Sequence, residues 1–318
     1  MLCLGRSHRG APDLVMIKEG EETLLIEGDI SHDNFSNKVS IGSQGRGRKK
    51  IAIDRITVKQ TELFDLHSIV SAGPGDSSII SGTPSLRRNF IDTYLSQISQ
   101  EYISMLIDYQ RCLSQKNAAL KTEMDPSPFN AILISLAASI TKFRAAFLAE
   151  IAAKASKAYE KISNGGKLII KYESSAAPEC NFENINEIRD AFQYRLMDYE
   201  QRERILKTAL IGPHRDDISF YIDSFPSRTH SSQGELRTTA ISLKVAVYDI
   251  IRIRKKVSPI LLFDEIFAEL DESRCEMLIS LFPDFGQIFL TTAVMPPSML
   301  QNNAKNFYIK NGKLENER

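Results

Sequence analysis

Short apolar runs and long stripes at three- and four-residue steps divide the chain into strand-like and helical stretches. Up to about residue 82 the pattern is one of brief strands and turns. Leu24–Glu27 and Ile51–Ile53 read as strands, and Gly42–Lys50, rich in Gly and Arg, as a hairpin connection. From Pro84 to Lys121 the spacing predicts helix, with Thr83 and Ser85 as cap candidates, Pro84 in the first turn and a break near Ser96–Gln100. A longer helix is predicted from Pro128 to about Ser163. There Leu136, Ile140, Phe143, Phe147 and Ile151 form one apolar stripe, opposed by Lys142, Arg144, Lys154 and Lys157, and Asn164-Gly165-Gly166 is the stop. The stripe reads as the packed seam of a helical arm rather than a cofactor or membrane face. Lys167–Tyr172 and Ile218–Asp223 are strand-like, and Asn184–Thr208 between them is a charge-dense helix. Further on, Leu236, Ala240, Leu243, Val247 and Ile250 recur at helical spacing. Ile260–Phe263, after Pro259, is then continuously apolar, as in a strand buried on both faces of a mainly parallel sheet; Gln287–Leu290 reads as a second such strand.

Composition narrows the class. At 318 residues, 42% hydrophobic and 25% charged, the chain has the make-up of a globular protein able to bury a large core in one big domain or two lobes. Lys plus Arg and Asp plus Glu both number 40, so no global basic field advertises nucleic acid and any such surface must be local. The cluster Arg46, Arg48, Lys49, Lys50 is one candidate, and an ordinary solvated loop is its other reading. Cys3, Cys112, Cys180 and Cys275 are scattered without a Cys-x-x-Cys pair, which argues against a disulfide framework or zinc site and suits a reducing cytoplasm. The longest uncharged run, Pro126–Thr141, is short for a bilayer span, and the early Arg6 and Arg9 do not fit a secretory signal.

Candidate chemistry gathers between Ser231 and Asp271. Asp264 and Glu265 follow the apolar strand at its carboxyl end, where open α/β sheets place their ligands. Of two adjacent acids there, one can hold Mg²⁺ near phosphates while the next orients or deprotonates a water. Upstream, Ser232 is placed as a helix N-cap, Glu235 completes a capping box, and Gly234 leaves its backbone open to close approach. A helix start of this kind favours a phosphate. Each feature alone is common; their order along one chain is what points to nucleotide chemistry. His214, Asp216 and Asp217 form another polar group, read either as metal ligands or as a loop that enters a strand and packs near the Ser232 segment.

The pairing of these segments resembles the signature helix, Walker B strand and D-loop of ABC-type ATPases, and more narrowly the RecF family. Further segments resemble that family in the same order: Gly5-Arg6-Ser7-His8-Arg9, Gly82-Thr83-Pro84-Ser85-Leu86-Arg87-Arg88-Asn89-Phe90-Ile91-Asp92, Asp108-Tyr109-Gln110-Arg111, Gln115-Lys116-Asn117-Ala118 and Gly212-Pro213-His214-Arg215-Asp216-Asp217. Ser71–Ile80 departs from the pattern, keeping only Pro74 and the spacing. The resemblance implies an α/β fold: an ABC-type P-loop ATPase head, incomplete at the N-terminus, with an inserted mainly helical lobe. It divides the chain into residues 1–83 (β-rich part of the ATPase lobe), 84–254 (helical lobe with the signature segment) and 255–318 (Walker B and D-loop). It further implies ATP and Mg²⁺ as cofactors and an ATP-dependent homodimer. Asp264 would be the Mg²⁺ partner and Glu265 the general base. Ser232, Gln233, Gly234 and Glu235 would close on the γ-phosphate of the other subunit, with Asp271 at the interface and Thr292 as a γ-phosphate sensor. DNA at single-strand gaps and duplex junctions, RecR and RecO would be its partners. Its setting would be repair, recombination, replication and the SOS response in the cytoplasm, associated with the nucleoid and not with a membrane.

ABC chemistry also needs a GxxxxGK[ST] loop, and none occurs: Gly166-Lys167 and Gly312-Lys313 lack the upstream Gly and are followed by Leu168 and Leu314. The expectation is a RecF-like chain without its first ~40 residues, about one strand–loop–helix unit. A chain of this kind is expected to hydrolyse ATP poorly and, with a strand missing, to aggregate. Two alternatives stay open: a non-hydrolysing remnant that binds DNA or a partner, and a metal-dependent hydrolase built on His214, Asp216 and Asp217.

Overall fold

The computed structural model describes residues 1–7, 10–32, 35–44, 49–267, 270–293, 300 and 304–317. His8 and Arg9, Arg46 and Arg48, and Ala268 and Glu269 of the predicted D-loop lie outside them. Thr23–His32 (β1) and Phe35–Gln44 (β2) pair antiparallel, and Lys50–Ile53 (β3) and Ile56–Thr57 (β4) extend them into a four-stranded meander. Ile30, Val39, Ile41 and Ile51 turn inward against Leu63 and Phe64 of a short helix, Leu63–Leu66 (α1). Both long strands exceed the sequence expectation, because Gly28 and the polar outer-face residues hide the two-residue period.

Ile69–Ala72 (β5) follows, then a turn at Pro74–Ser77 and a four-residue helix, Ser78–Ser81 (α2). Four long helices come next: Pro84–Ile98 (α3), Gln100–Lys121 (α4), Asn130–Ser163 (α5) and Ile185–Leu206 (α6). Ser99 is extended and its Oγ accepts the Tyr102 N–H at 3.1 Å, which breaks α3 from α4. Asn164 takes the left-handed conformation (φ 58°) that ends α5. Leu168–Glu173 (β6) pairs antiparallel with Asp217–Ile222 (β7), which carries Phe225–Pro226 (β8) on its other edge. Ser227–His230 (α7) leads into Gln233–Lys255 (α8).

Ile260–Asp264 (β9) lies between β5 and Ile288–Thr291 (β10) in a three-stranded parallel sheet, with Glu272–Ile279 (α9) connecting β9 to β10. Leu261 and Phe263 of β9 join the large core built on α5 and α8, while Ile260 and Leu262 pack on the core under the meander. The strand is thus the partition between two cores, which is why it is apolar at four successive positions. Phe307–Lys310 (β11) and Lys313–Glu317 (β12) form a separate hairpin. Ser127–Ser163 is long and apolar enough by composition to cross a membrane; it contains the helix around which α4, α6, α8 and β6 pack, and half of its most apolar window is buried. All four cysteines are free thiols.

Charged side chains are buried along with the apolar ones. Arg144, expected on the solvent face of α5, is buried and reaches Asp92 of α3 (2.9 Å) and the Pro213 carbonyl (2.7 Å). Its partners arrive from sequence-distant elements, so no local pattern could reveal its direction. Lys116 and Glu203 are both buried and pair at 2.6 Å between α4 and α6. Arg87 holds Asp217 through Nε at 2.6 Å and Nη2 at 2.9 Å. Asp216 accepts the Ser175 N–H at 2.7 Å and the Tyr172 hydroxyl, while Tyr109 Oη and His214 Nδ1 lie 2.7 Å apart. Gly212 has φ 143° and a Cβ there would collide with the Tyr109 hydroxyl, so only glycine fits. The Gly212–Asp217 segment therefore knots α3, α4, α5 and β6 together, with its partners in the helical part rather than in the Ser232 segment.

Candidate functional site

Asp264 is the last residue of β9 and stands opposite Thr291 at the carboxyl rim of the parallel sheet. Thr291 Oγ1 donates to Asp264 Oδ1 at 2.7 Å, and the Thr291 carbonyl accepts the N–H of Glu265 at 3.0 Å. Glu265 has φ 51°, a conformation that costs a non-glycine residue about 1–2 kcal/mol. On the other side, Gly73 ends β5 against Asp264: a Cβ on it would lie 3.5 Å from Asp264 Cβ and 3.7 Å from Oδ2. The Gly73 N–H donates to Asp76 Oδ2 at 2.8 Å, and Asp76 Oδ1 is 3.1 Å from Nζ of Lys244, a buried residue of α8 that also bonds the Tyr94 hydroxyl at 3.2 Å. Burial alone would lower the Lys244 pKa; Tyr94 and Asp76 overcome it, and the net direction is upward. Lys244 thus fixes the turn beside Asp264 from the helix that follows Ser232.

The start of α8 is a capping box. Ser232 Oγ accepts the Glu235 N–H at 3.3 Å, and Glu235 Oε2 receives the Ser232 N–H at 2.7 Å. Ser232 and Gln233 are exposed. Deeper in α8, Thr238, Thr239 and Ser242 return their hydroxyls to carbonyls one turn back, so a polar stretch can be buried all round. A Cβ on Gly234 would lie 2.5 Å from Arg274 Nη1. Arg274 in turn pairs with Asp271 at 3.3 Å, and Asp271 caps α9 by accepting the Arg274 N–H at 2.9 Å. Asp271 and Gly234, distant in sequence, are thus bridged by one guanidinium.

The structure brings the predicted residues into two groups: Asp264 and Glu265 at the strand rim, and Ser232, Gln233, Gly234, Glu235 and Asp271 at the helix tip. Ile266, next to Glu265 in sequence, lines a small crevice together with Gly73, Asp76, Ser77, Arg237 and Ile241. Thr292 is half-buried one position beyond β10; the threonine bonded to Asp264 is its neighbour Thr291. Arg274, Asp76 and Lys244 escaped the sequence reading. Of these only Arg274, three residues after a helix-capping Asp, carried a local signal.

An all-oxygen rim of two carboxylates and a hydroxyl fits Mg²⁺, which keeps waters and phosphates as most of its ligands. Among the described residues no three His, Cys, Asp or Glu side chains converge as a metal cage. The His214, Asp216 and Asp217 grouping is therefore a set of packing residues: His214 bonds Tyr109 and the Ala209 carbonyl, and Asp217 pairs with Arg87.

No family model matches the chain. It is 33% identical over 300 residues to the DNA replication and repair protein RecF of Halalkalibacterium halodurans, covering 92% of this chain and 80% of that protein. It is 31% identical over 325 residues to RecF of Staphylococcus epidermidis, covering 98% and 87%. Among solved structures, the recombination mediator protein RecF-ATPrS in the RecFOR pathway superposes with a TM-score of 0.87 at 28% identity, over 99% of this chain and 85% of that one. RecF-ATP gives 0.84 at 30% identity, over 92% and 80%. An Smc head shares the fold at a TM-score of 0.50 and 14% identity, over 93% of this chain and 73% of that one. The α/β fold is thus that of RecF and SMC-type ATPase heads. The chain belongs to the RecF family of DNA replication and repair proteins.

Proposed function

We propose that this chain is a nucleotide-responsive recombination mediator that dimerises on DNA. The reading rests on the carboxylate pair of Asp264 and Glu265 at the rim of a parallel sheet, beside a chain segment fixed from the signature helix. Residues 1–83 and 255–318 would form the ATPase lobe and 84–254 the helical lobe. When bound, Mg²⁺·ATP supplies a triphosphate whose charge must be neutralised at both faces. Asp264 offers its carboxylate to the cation from one subunit, and Glu265 orients or deprotonates the attacking water. Ser232, Gln233 and Gly234 of the other subunit present first-turn N–H groups to the γ-phosphate, the capping bonds between Ser232 and Glu235 yielding as they do so. Asp271 lies at that interface through its hold on Arg274, and Thr292 faces the γ-phosphate. DNA at single-strand gaps and duplex junctions is the substrate, RecO and RecR are the partners, and loading of recombinase is the outcome.

The test is Glu265→Gln in a chimaera given the GxxxxGK[ST] segment of a RecF relative. ATP-bound dimers should accumulate in size-exclusion chromatography with light scattering, and hydrolysis should fall about 10²–10⁴-fold, as for loss of one general base. Undiminished hydrolysis removes Glu265 from the role. A second reading, DNA binding without turnover, is favoured for the 318-residue polypeptide by the lack of a GxxxxGK[ST] segment in its sequence. DNA affinity indifferent to ATP would select it.

A further inference from the structure

Strand β10 ends on a residue that touches both acids of the rim. The Thr291 hydroxyl donates to Asp264 Oδ1 at 2.7 Å, and its carbonyl holds the Glu265 N–H at 3.0 Å. With Oδ1 bonded to Thr291, Oδ2 is the oxygen on the Gly73 side, 3.7 Å from where a Cβ on that residue would lie. Thr291 is exposed, so its hydroxyl has water as an alternative partner. Its orientation on Asp264 comes from the register Thr291↔Asp264 of two parallel strands, which places the two side chains side by side on one face of the sheet. The backbone bond to Glu265 survives any side chain at 291; the bond to Asp264 does not.

We infer that Thr291 is the positioning residue of the cation site: its hydroxyl locks the Asp264 carboxylate so that Oδ2 faces a divalent cation, while its carbonyl fixes Glu265 beside it. The inference rests on the carboxylate roles proposed above. It assigns the strand-end function to Thr291 by a direct bond to the acid, separately from any phosphate contact made by Thr292. A β-branched residue at this rim would serve packing equally well as valine, so the hydroxyl alone carries the difference.

Water-proton relaxation enhancement by Mn²⁺·ATP, measured on the chimaera that carries the GxxxxGK[ST] segment, tests it without reading turnover. Thr291→Val should weaken Mn²⁺·ATP binding about tenfold, the size of one hydrogen bond to a charged group. Thr291→Ser should restore most of it, and both variants should melt with the chimaera without further substitution. Unchanged binding in Thr291→Val, with binding lost in Asp264→Asn, overturns the inference and leaves the carboxylate reading intact. Failure of Thr291→Ser to rescue also overturns it, because packing is then the cause. Full binding in Asp264→Asn, or none in the chimaera without further substitution, overturns the carboxylate reading and this inference with it.

Discussion

His214 shows how far one side chain can be displaced from its usual chemistry. Burial pushes its pKa down to about 4, the bond to the Ala209 carbonyl opposing and nearby Arg215 adding to the shift. Unfolded, an imidazole titrates near 6.5, so the unfolded chain takes up the proton first as pH falls. The neutral His214 therefore contributes stability that is fully present above about pH 6.5 and declines toward pH 4. Urea denaturation should show the wild-type chain losing roughly 2–3 kcal/mol more than His214→Asn across that interval. Equal pH slopes for the two proteins would show that the native ring takes up its proton as readily as the unfolded one. The same residue marks a limit of sequence reading. His214, Asp216 and Asp217 read from sequence as metal ligands or as a packed loop, and the positions of Tyr109, Arg144 and Arg87 show the packed loop, turned to the helical part rather than to the Ser232 segment.

Among the elements, α8 has the most to reconcile. It carries an exposed tip at Ser232 and Gln233 and, three turns further on, a buried Lys244 tied through Asp76 to the turn beside Asp264. Lys244→Met leaves Asp76 without its buried cation, and a loss of about 3 kcal/mol in chemical denaturation is expected, at the low end for a buried pair because Asp76 is partly exposed. Asp76→Asn in the same chain should recover part of that loss; strict additivity of the two changes would show that they do not interact. Much of this element was legible: the capping box, the apolar spacing and the apolar strand after Pro259 all lie within a few residues of one another. The interruption at Ser99 and the stop at Asn164 were legible for the same reason, since caps are local chemistry. Lys244, Arg144 and the Lys116–Glu203 pair were not, because their burial depends on partners up to 168 positions away, as between Asp76 and Lys244. Strand β5 also went unseen: four residues with a serine among them carry too little period to identify.

Across the whole molecule, polar surface is not evenly distributed. Phe289 of β10 and Phe307, Ile309 and Leu314 of the β11–β12 hairpin are about half exposed or more, all in one carboxyl-terminal region of short strands. Apolar side chains on lightly covered strands promote pairing between copies. The purified 318-residue chain should therefore self-associate, and Phe307→Lys with Ile309→Lys should reduce it in concentration-dependent light scattering. A wild-type chain that stays monomeric at high concentration contradicts this.

The knot around Gly212–Asp217 bears on how the chain is made. Arg87 and Arg144 emerge from the ribosome long before the loop that receives them, Asp217 being 130 positions beyond Arg87. Until that loop is synthesised, Arg87 lacks Asp217 and Arg144 lacks the Pro213 carbonyl, and the seam between α3 and α5 has to stay wet. The helical half of the protein is thus a latecomer to its own interior: nascent chains halted before residue 212 should remain protease-sensitive there, and the seam should dry in a single step once the loop arrives.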